Sequence, residues 1–335
     1  MALMKKPRNL RTDNNTGFGT NSTSTGGRFV NRDGRPNVIK KGIGILNRYS
    51  WYHTMLGMNR GKFLFLLFII YISVNLVFAG VYYLIGIDHL AGVHAGSSWK
   101  NFTEVFFFSA QTFTTVGYGR ISPVGFMASA VSTFEAFLGL LSFAIATGLF
   151  YGRFSRPRAF LKFSENALIA PYQEGTALMF RMSPYKNNML SEVEIKLTMA
   201  ITTSEEDGRL TDKFFTLDME LSKINSLSLS WTIVHPITET SPFYGFSKED
   251  IANTDIEIMV FVKGFDEVFS NNVVTRTSYV SAEIIWGAKF RMMYHPNDDK
   301  SKTILDLDKL NDYDQVSLSE TAIAASINSV QAPAG

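Results

Sequence analysis

The chain has 335 residues, a formal net charge of +2 and no cysteine, which excludes a disulfide scaffold and thiolate metal sites and gives no electrostatic case for nucleic-acid binding. Its mean hydropathy of +0.05 averages two regimes. Apolar residues concentrate between about 63 and 151, and the rest reads as an ordinary soluble protein.

Residues 1–37 are expected to form a disordered arm. They begin basic, are rich in Asn, Gly, Ser and Thr over 12–37, and lack the apolar core of a signal peptide. Residues 38–61 read as a strand or linker followed by an interfacial helix. Within 47–59, Trp51, Tyr52, Met55 and Leu56 share one helical face just before an apolar run, as in a helix lying along a bilayer surface with Trp51 and Tyr52 as anchors. The alternative is a linker with aromatic anchors.

Residues 63–86 are 24 positions without a charge, enough at about 1.5 Å per residue to cross a hydrocarbon core of about 30 Å. A buried helix of a soluble domain is the alternative. Arg60 and Lys62 precede this run, so its N-terminus is expected to be cytoplasmic. A second apolar run, 125–151, is broken by one acid, Glu135, and followed by Arg153, Arg156, Arg158 and Lys162. Its end is then cytoplasmic as well. The reading is a multi-pass protein of the cell membrane with a two-span domain over 62–152, a basic linker over 153–163 and both termini inside.

Between the spans, Asn101 and Glu104 have a capping-box-like spacing and predict a helix over 102–114. That is too short to cross the bilayer and suits a re-entrant helix, which lipid tolerates only where protein or a water-filled cavity surrounds its end. An oligomer about an axis follows.

Thr-Val-Gly-Tyr-Gly occupies 115–119. It is the filter sequence by which potassium channels are generally recognised. A K+ ion that sheds water needs stacked oxygen rings. The expected ligands are the carbonyls of Thr115, Val116, Gly117 and Tyr118 with the Thr115 hydroxyl, and Gly117 and Gly119 permit the backbone this requires. Thr112 and Thr114 would hydrogen-bond around the base, Tyr118 would brace against aromatics of the preceding helix, and Arg120 would clamp the outer mouth through an acid or carbonyl. One loop supplies a quarter of each ring, so the unit is expected to be a homotetramer. The helix's negative C-terminal end would favour a dehydrating cation. Apart from K+ as permeant ion, no cofactor is expected. Without its setting, the same five residues would read as a β-turn.

Glu135, Gly139, Phe143, Thr147 and Tyr151 recur every four residues and are expected near one pore-lining face, with Phe143 and Tyr151 as constrictions and Gly139 and Gly148 as points of bending. Packing against neighbouring helices is the alternative for the two aromatics. Glu135, ionisable within a span, is functional by default. It either raises cation occupancy or bonds to the base of the re-entrant helix, and the second is favoured because a charged ring there would be costly. Arg60, Lys62, Arg153, Arg156, Arg158 and Lys162 are expected at anionic phospholipid headgroups, the alternative being that they only enforce topology.

From 164 the pattern turns to strands, at 167–170, 178–180, 193–200, 227–234, 256–262 and 279–286, separated by Gly, Pro, Asn and Asp. This predicts an all-β sandwich over 164–310, then a tail over 311–335 whose last residues, 324–335, are small and expected to be disordered.

The filter with its preceding Thr, Thr-Thr-Val-Gly-Tyr-Gly at 114–119, is joined by Gly-Arg-Phe-Ser-Arg-Pro at 152–157 and Phe-Ser-Glu-Asn-Ala-Leu-Ile-Ala at 163–170. His-Pro-Ile-Thr-Glu-Thr-Ser-Pro-Phe-Tyr-Gly follows at 235–245, and Ser-Tyr-Val-Ser-Ala-Glu-Ile-Ile-Trp-Gly-Ala-Lys-Phe at 278–290. On these the chain resembles the inward-rectifier potassium channels, most closely their prokaryotic branch, over roughly 38–310. The resemblance implies a homotetramer in a prokaryotic inner membrane, an interfacial slide helix and an immunoglobulin-like cytoplasmic domain that extends the pore. It further implies that Trp51 is the slide-helix aromatic, Tyr151 the inner gate, and Arg153 and Arg156 lipid contacts. Strong rectifiers carry an acid at the position of Phe143, where it helps hold blocking polyamines or Mg2+; an aromatic there implies weak rectification. Gln111 stands where many animal members have an acid. Two other classes compete: a two-span potassium channel with a different ligand domain, which would show a glycine-rich nucleotide-binding region, and a non-conducting membrane anchor carrying a β-sandwich. No nucleophile or metal triad supports an enzyme; the five histidines are scattered.

Overall fold

The computed structural model describes residues 10–13, 15–18, 27–42, 44, 50–94, 96–186, 188–204 and 210–318. The chain divides into two units, one of Lys40–Arg156 and one of Met1–Ile39 with Pro157–Gly335.

In the first unit, helix α1 (Trp51–Gly57) is capped by Ser50, whose side chain accepts from the His53 N–H at 3.4 Å. Helix α2 spans Arg60–Ile85 and ends at Gly86, whose φ of 110° suits glycine. A two-residue ladder pairs β1 (Leu90–Ala91) with β2 (Ser122–Pro123). Between them runs α3 (Ser98–Phe113), and α4 (Phe126–Phe154) follows. The α3 helix starts before the expected 102, because Ser97, not Asn101, is its cap and accepts from the Lys100 N–H at 3.4 Å. Asn101 instead accepts from the Gly96 N–H at 3.0 Å, fastening the incoming chain.

Helices α2 and α4 are apolar all round. In each, only 17% of the most apolar 18-residue window is buried within the chain, the reverse of a soluble core helix. Phe78, Ala79 and Tyr82 of α2 pack on Val105 and Phe108 of α3, with the Tyr82 and Phe108 rings edge-on at 5.1 Å.

In the second unit the strands are β3 (Leu161–Phe163), β4 (Ala167–Tyr172), β5 (Gly175–Pro184), β6 (Leu190–Ser204), β7 (Leu210–Leu217), β8 (Lys223–Leu227), β9 (Trp231–Pro236), β10 (Ile256–Asp266), β11 (Asn271–Val280) and β12 (Ile284–Trp286). One five-stranded sheet has the order β11-β10-β6-β7 with β8 also on β6; the other has β12-β4-β5-β3 with β9 also on β5. Along β9, Trp231, Ile233 and His235 are buried while alternate residues are half-exposed, the period of a strand with one face inward. Phe180 and Met182 from one sheet meet Ile195, Leu197 and Val260 from the other in a single core.

Several expectations change. The run 227–234 is two strands, β8 and β9, and 279–286 is the end of β11, a 3-10 turn at Ser281–Glu283, and β12. Within the tail expected at 311–335, Tyr313–Gln315 pairs antiparallel with Ala288–Phe290; residues 324–335 lie outside the described residues.

The largest change concerns the arm expected to be disordered over 1–37. Of it, 1–9, 14 and 19–26 lie outside the described residues, but the rest is docked on the first sheet. The Asp13 N–H donates to the Phe214 carbonyl at 2.9 Å, and the Thr216 N–H to the Arg11 carbonyl at 3.0 Å. Phe29 and Val30 give their N–H groups to the carboxylate of Glu257 at 2.5 and 3.0 Å. Arg28 and Arg32 both pair with Glu283. At Gly34, φ is +80° and a Cβ would stand 2.6 Å from the Arg276 carbonyl oxygen, so the tight turn there needs glycine. The composition of the arm is polar, yet its backbone groups find buried acceptors far along the chain.

Candidate functional site

The segment 114–119 leaves α3 directly. The N–H groups of Val116 and Gly117 both reach back to the Gln111 carbonyl, at 2.9 and 3.3 Å, and the Thr115 N–H reaches Thr112 O at 3.0 Å. Positive φ values recur at alternate residues: 59° at Thr115, 49° at Gly117 and 81° at Gly119. A backbone whose handedness alternates in this way can aim successive peptide groups to one side, and at two of the three positions glycine makes it inexpensive.

Thr112 and Thr114 do not bond around the loop. Their hydroxyls back-bond within the chain of α3, to Phe108 O at 2.9 Å and Ala110 O at 2.7 Å, the usual recourse of Thr in a helix. Tyr118 is 79% exposed, so the expected bracing against aromatics of α3 is not made within one chain. Arg120 pairs with Glu104 of α3. Its carbonyl oxygen would lie 1.9 Å from any Cβ at Gly92, where φ is +88°. Glycine there lets the β1 side of the loop close on the residue after the filter sequence.

The five residues expected on one face of α4 separate into two groups. Glu135 and Gly139 are buried, whereas Phe143, Thr147 and Tyr151 are exposed. Gly139 is therefore not a lining residue: a Cβ at this position would stand 1.8 Å from the Phe113 carbonyl oxygen, so α4 touches the end of α3 there. The reason is helical geometry. A stride of four residues overshoots a turn by about 40°, and four strides carry a side chain about 160° round the helix. Phe143 and Tyr151 are 73% and 75% exposed.

Glu135 collects partners that its sequence position did not reveal. Tyr82 of α2 donates to its Oε2 at 2.6 Å, and Ser109 of α3 lies 2.5 Å from its Oε1. Ser109 also meets Asn75 of α2. The only sequence signal for these three was a polar residue inside an apolar run.

Among the six basic residues expected at headgroups, Arg60, Lys62, Arg156, Arg158 and Lys162 are exposed. Arg153 differs. Its guanidinium donates to the carbonyls of Met55 (3.0 Å) and Met58, and lies 4.9 Å over the Phe63 ring. It closes the C-terminal end of α1, where carbonyls lack helical partners. Trp51 and Tyr52 are 76% and 60% exposed, while Leu56 is buried. The anchors and Leu56 therefore do not share one exposed face.

Two apolar helices long enough to span a membrane, a filter-type loop between them and a C-terminal β-sheet domain define a multi-pass membrane protein of the two-span potassium-channel class. Residues 161–331 match the family of the inward rectifier potassium channel C-terminal domain, and 70–156 match an ion channel family. The chain is 34% identical over 292 residues to the inward rectifier potassium channel Kirbac3.1 of Paramagnetospirillum magnetotacticum, covering 86% of this chain and 96% of that one. It is 27% identical to the human G protein-activated inward rectifier potassium channel 2, over 78% of this chain and 67% of that one. A solved structure, the sporulation control protein Spo0M of Bacillus subtilis, aligns with a TM-score of only 0.22 at 10% identity over 39% of this chain and 50% of that one. The chain belongs to the inward-rectifier potassium channel family, a family of ion channels and not of enzymes.

Proposed function

We propose that four copies of the chain surround one K+-selective pore, with ions held by the carbonyls of Thr115, Val116, Gly117 and Tyr118 and the Thr115 hydroxyl. The observation that carries this reading is the alternation of positive φ at 115, 117 and 119 in a loop of filter sequence between two apolar helices. Val116 and Tyr118, 52% and 79% exposed, need neighbours that one chain does not supply, which supports assembly about an axis. In this reading α3 is re-entrant, with its C-terminal negative end toward the cavity. Phe143 and Tyr151 form the narrow inner half of the pore, where bulky rings gate by occlusion or dewetting. Rectification is weak, because Phe143 offers no carboxylate to Mg2+ or polyamines.

Basic residues flank both spans on one side, which supports cytoplasmic termini; the two sheets packed on one core support an immunoglobulin-like β domain, and the likeness to a bacterial relative supports residence in a prokaryotic inner membrane. Arg60, Lys62, Arg156, Arg158 and Lys162 meet anionic phospholipid there and couple it, with the β domain, to the end of α4. Arg153 serves that coupling by holding α1 to α4.

The test is flux from liposomes of purified protein under K+, Na+ and Rb+ gradients, with and without anionic lipid. K+ and Rb+ should pass in preference to Na+, with block by Ba2+. Ba2+-insensitive flux that does not distinguish Na+ from K+ would end the selective-pore reading. In the same assay Tyr151→Ala should raise closed-state flux; an unchanged value would remove Tyr151 from the gate.

A further inference from the structure

Four polar side chains are sealed among α2, α3 and α4. Asn75, Ser109 and Glu135 are 0% exposed and Tyr82 is 1% exposed. The Tyr82 hydroxyl donates to Glu135 Oε2 at 2.6 Å. Ser109 Oγ lies 2.5 Å from Glu135 Oε1, 3.1 Å from Asn75 Oδ1 and 3.3 Å from the Asn75 carbonyl oxygen. The Asn75 amide nitrogen donates to the Tyr71 carbonyl at 2.7 Å, which fixes the orientation of that amide and turns its oxygen toward Ser109.

The protons of this chain can be counted. A serine hydroxyl has one proton, and a carboxylate or amide oxygen has none. With Glu135 ionised, the Ser109 proton goes to the carboxylate, and Ser109 Oγ then faces Asn75 Oδ1 at 3.1 Å with no proton between two acceptors. With Glu135 protonated the conflict disappears. Its O–H donates to Ser109 Oγ, the one Ser109 proton is shared between Asn75 Oδ1 at 3.1 Å and the Asn75 carbonyl oxygen at 3.3 Å, and the Tyr82 O–H still meets the second Glu135 oxygen. Every side chain in the chain then has a donor facing an acceptor, and no net charge is buried in the span.

We propose that Glu135 is held in its protonated form, the donor at the head of a chain that runs through Ser109 and Asn75 to the Tyr71 carbonyl, and that it is a positioning residue for the loop after α3. The chain ties all three helices together at one level. One turn along α4, Gly139 rests on the Phe113 carbonyl, the last residue of α3 before 114–119. A turn of α3 about its axis would carry that loop with it. Glu135 therefore acts on ion preference through the orientation of α3, not as a charge that attracts cations. This rests on reading 115–119 as the filter.

The experiment uses the full-length protein in liposomes, with infrared spectra of wild type and variants beside the flux assay. The wild type minus Glu135→Gln spectrum should contain the carbonyl stretch of a protonated carboxylic acid. Glu135→Leu, which leaves Tyr82 and Ser109 without their partner, should lose about tenfold of the K+ over Na+ preference. Glu135→Gln should restore it, since its amide offers one donor and one acceptor in the same places. Two results would overturn the proposal: a difference spectrum showing only an ionised carboxylate, or a Gln variant as impaired as the Leu variant. If wild type itself fails to discriminate K+ from Na+, the filter reading falls, while the acid band still decides the protonation state. If a variant fails to assemble, the acid band is sought in wild type with isotope-labelled glutamate, and its absence overturns the proposal.

Discussion

The two units of the chain use the same apolar residues to opposite ends. In the β unit Phe180 is 0% exposed, whereas in the pore unit Phe134 is 57% and Phe126 85% exposed. The β sheets close on each other, and water outside drives that closure. Helices α2 and α4 face outward instead, and in lipid such a surface gains nothing by being hidden. What holds helices together there is close approach and polar contact. The pore unit has both, in Gly139 against the Phe113 carbonyl and in the sealed group of Asn75, Tyr82, Ser109 and Glu135. One unit is stabilised by how much it buries, the other by where a few atoms meet.

The difference can be broken most severely at Gly139. Gly139→Ala adds one methyl group, but that carbon would stand 1.8 Å from the Phe113 carbonyl oxygen. Backbone must move, so α4 has to leave α3. K+ flux in liposomes is expected to fall to background while the thermal transition of the β unit, followed by near-ultraviolet circular dichroism, stays where it was. A conducting Gly139→Ala channel would show that the contact is not required. The converse substitution is Phe180→Ala. It empties a site among Leu178, Met182 and Tyr279 and should cost about 3–5 kcal/mol, read as a lower denaturation midpoint of the β unit in detergent. The K+ over Na+ preference of the channels that remain folded should be unchanged; a changed preference would mean that the two units are not separable in this sense.

Legibility follows the same division. The two long helices could be read because apolar runs of that length with one charge or none have few other uses, and β6 because Val193, Ile195, Leu197 and Met199 alternate with polar neighbours. The filter-type loop was legible as a string of residues. Contacts made across long stretches of sequence were not. Glu135 stood out, but nothing local connected it to Tyr82 or Asn75. Gly139 was placed with Phe143 because a four-residue stride looks like one face over two turns and ceases to be one over four. The arm at 27–37 has the composition of a disordered segment, and residues far along the chain, Glu257, Ser278 and Glu283 among them, give its backbone and arginines their partners. Arg153 looked like a headgroup ligand because a basic flank is the usual reading of that position, and the free carbonyls at the end of α1 compete for it.

The smallest expected effect sharpens the comparison from the water side. Glu257 is 4% exposed. Burial raises its pKa above the ordinary glutamate value, although the N–H groups of Phe29 and Val30, the Ser278 hydroxyl and the charge of Arg28 all pull it down. The folded unit therefore binds this proton more readily than the unfolded chain. The resulting stability is fully present below the unfolded value of about 4.3 and is lost as pH rises through the folded value. Glu257→Gln should remove that slope from the unfolding free energy of the β unit, measured by denaturant titration across the acid range; an unchanged slope would assign it to another group. The same substitution affects the arm differently. A glutamine has one acceptor oxygen where the carboxylate has two, so either the Phe29 or the Val30 N–H faces an amide nitrogen. Exchange of one of those two backbone protons should quicken by about fivefold to tenfold, while exchange in β10 itself stays slow. Because the Phe29 and Val30 N–H groups share one carboxylate, one atom changed from oxygen to nitrogen is enough to loosen the arm at that point, while its bonds at Arg11, Asp13 and Glu283 hold and the core beneath loses nothing.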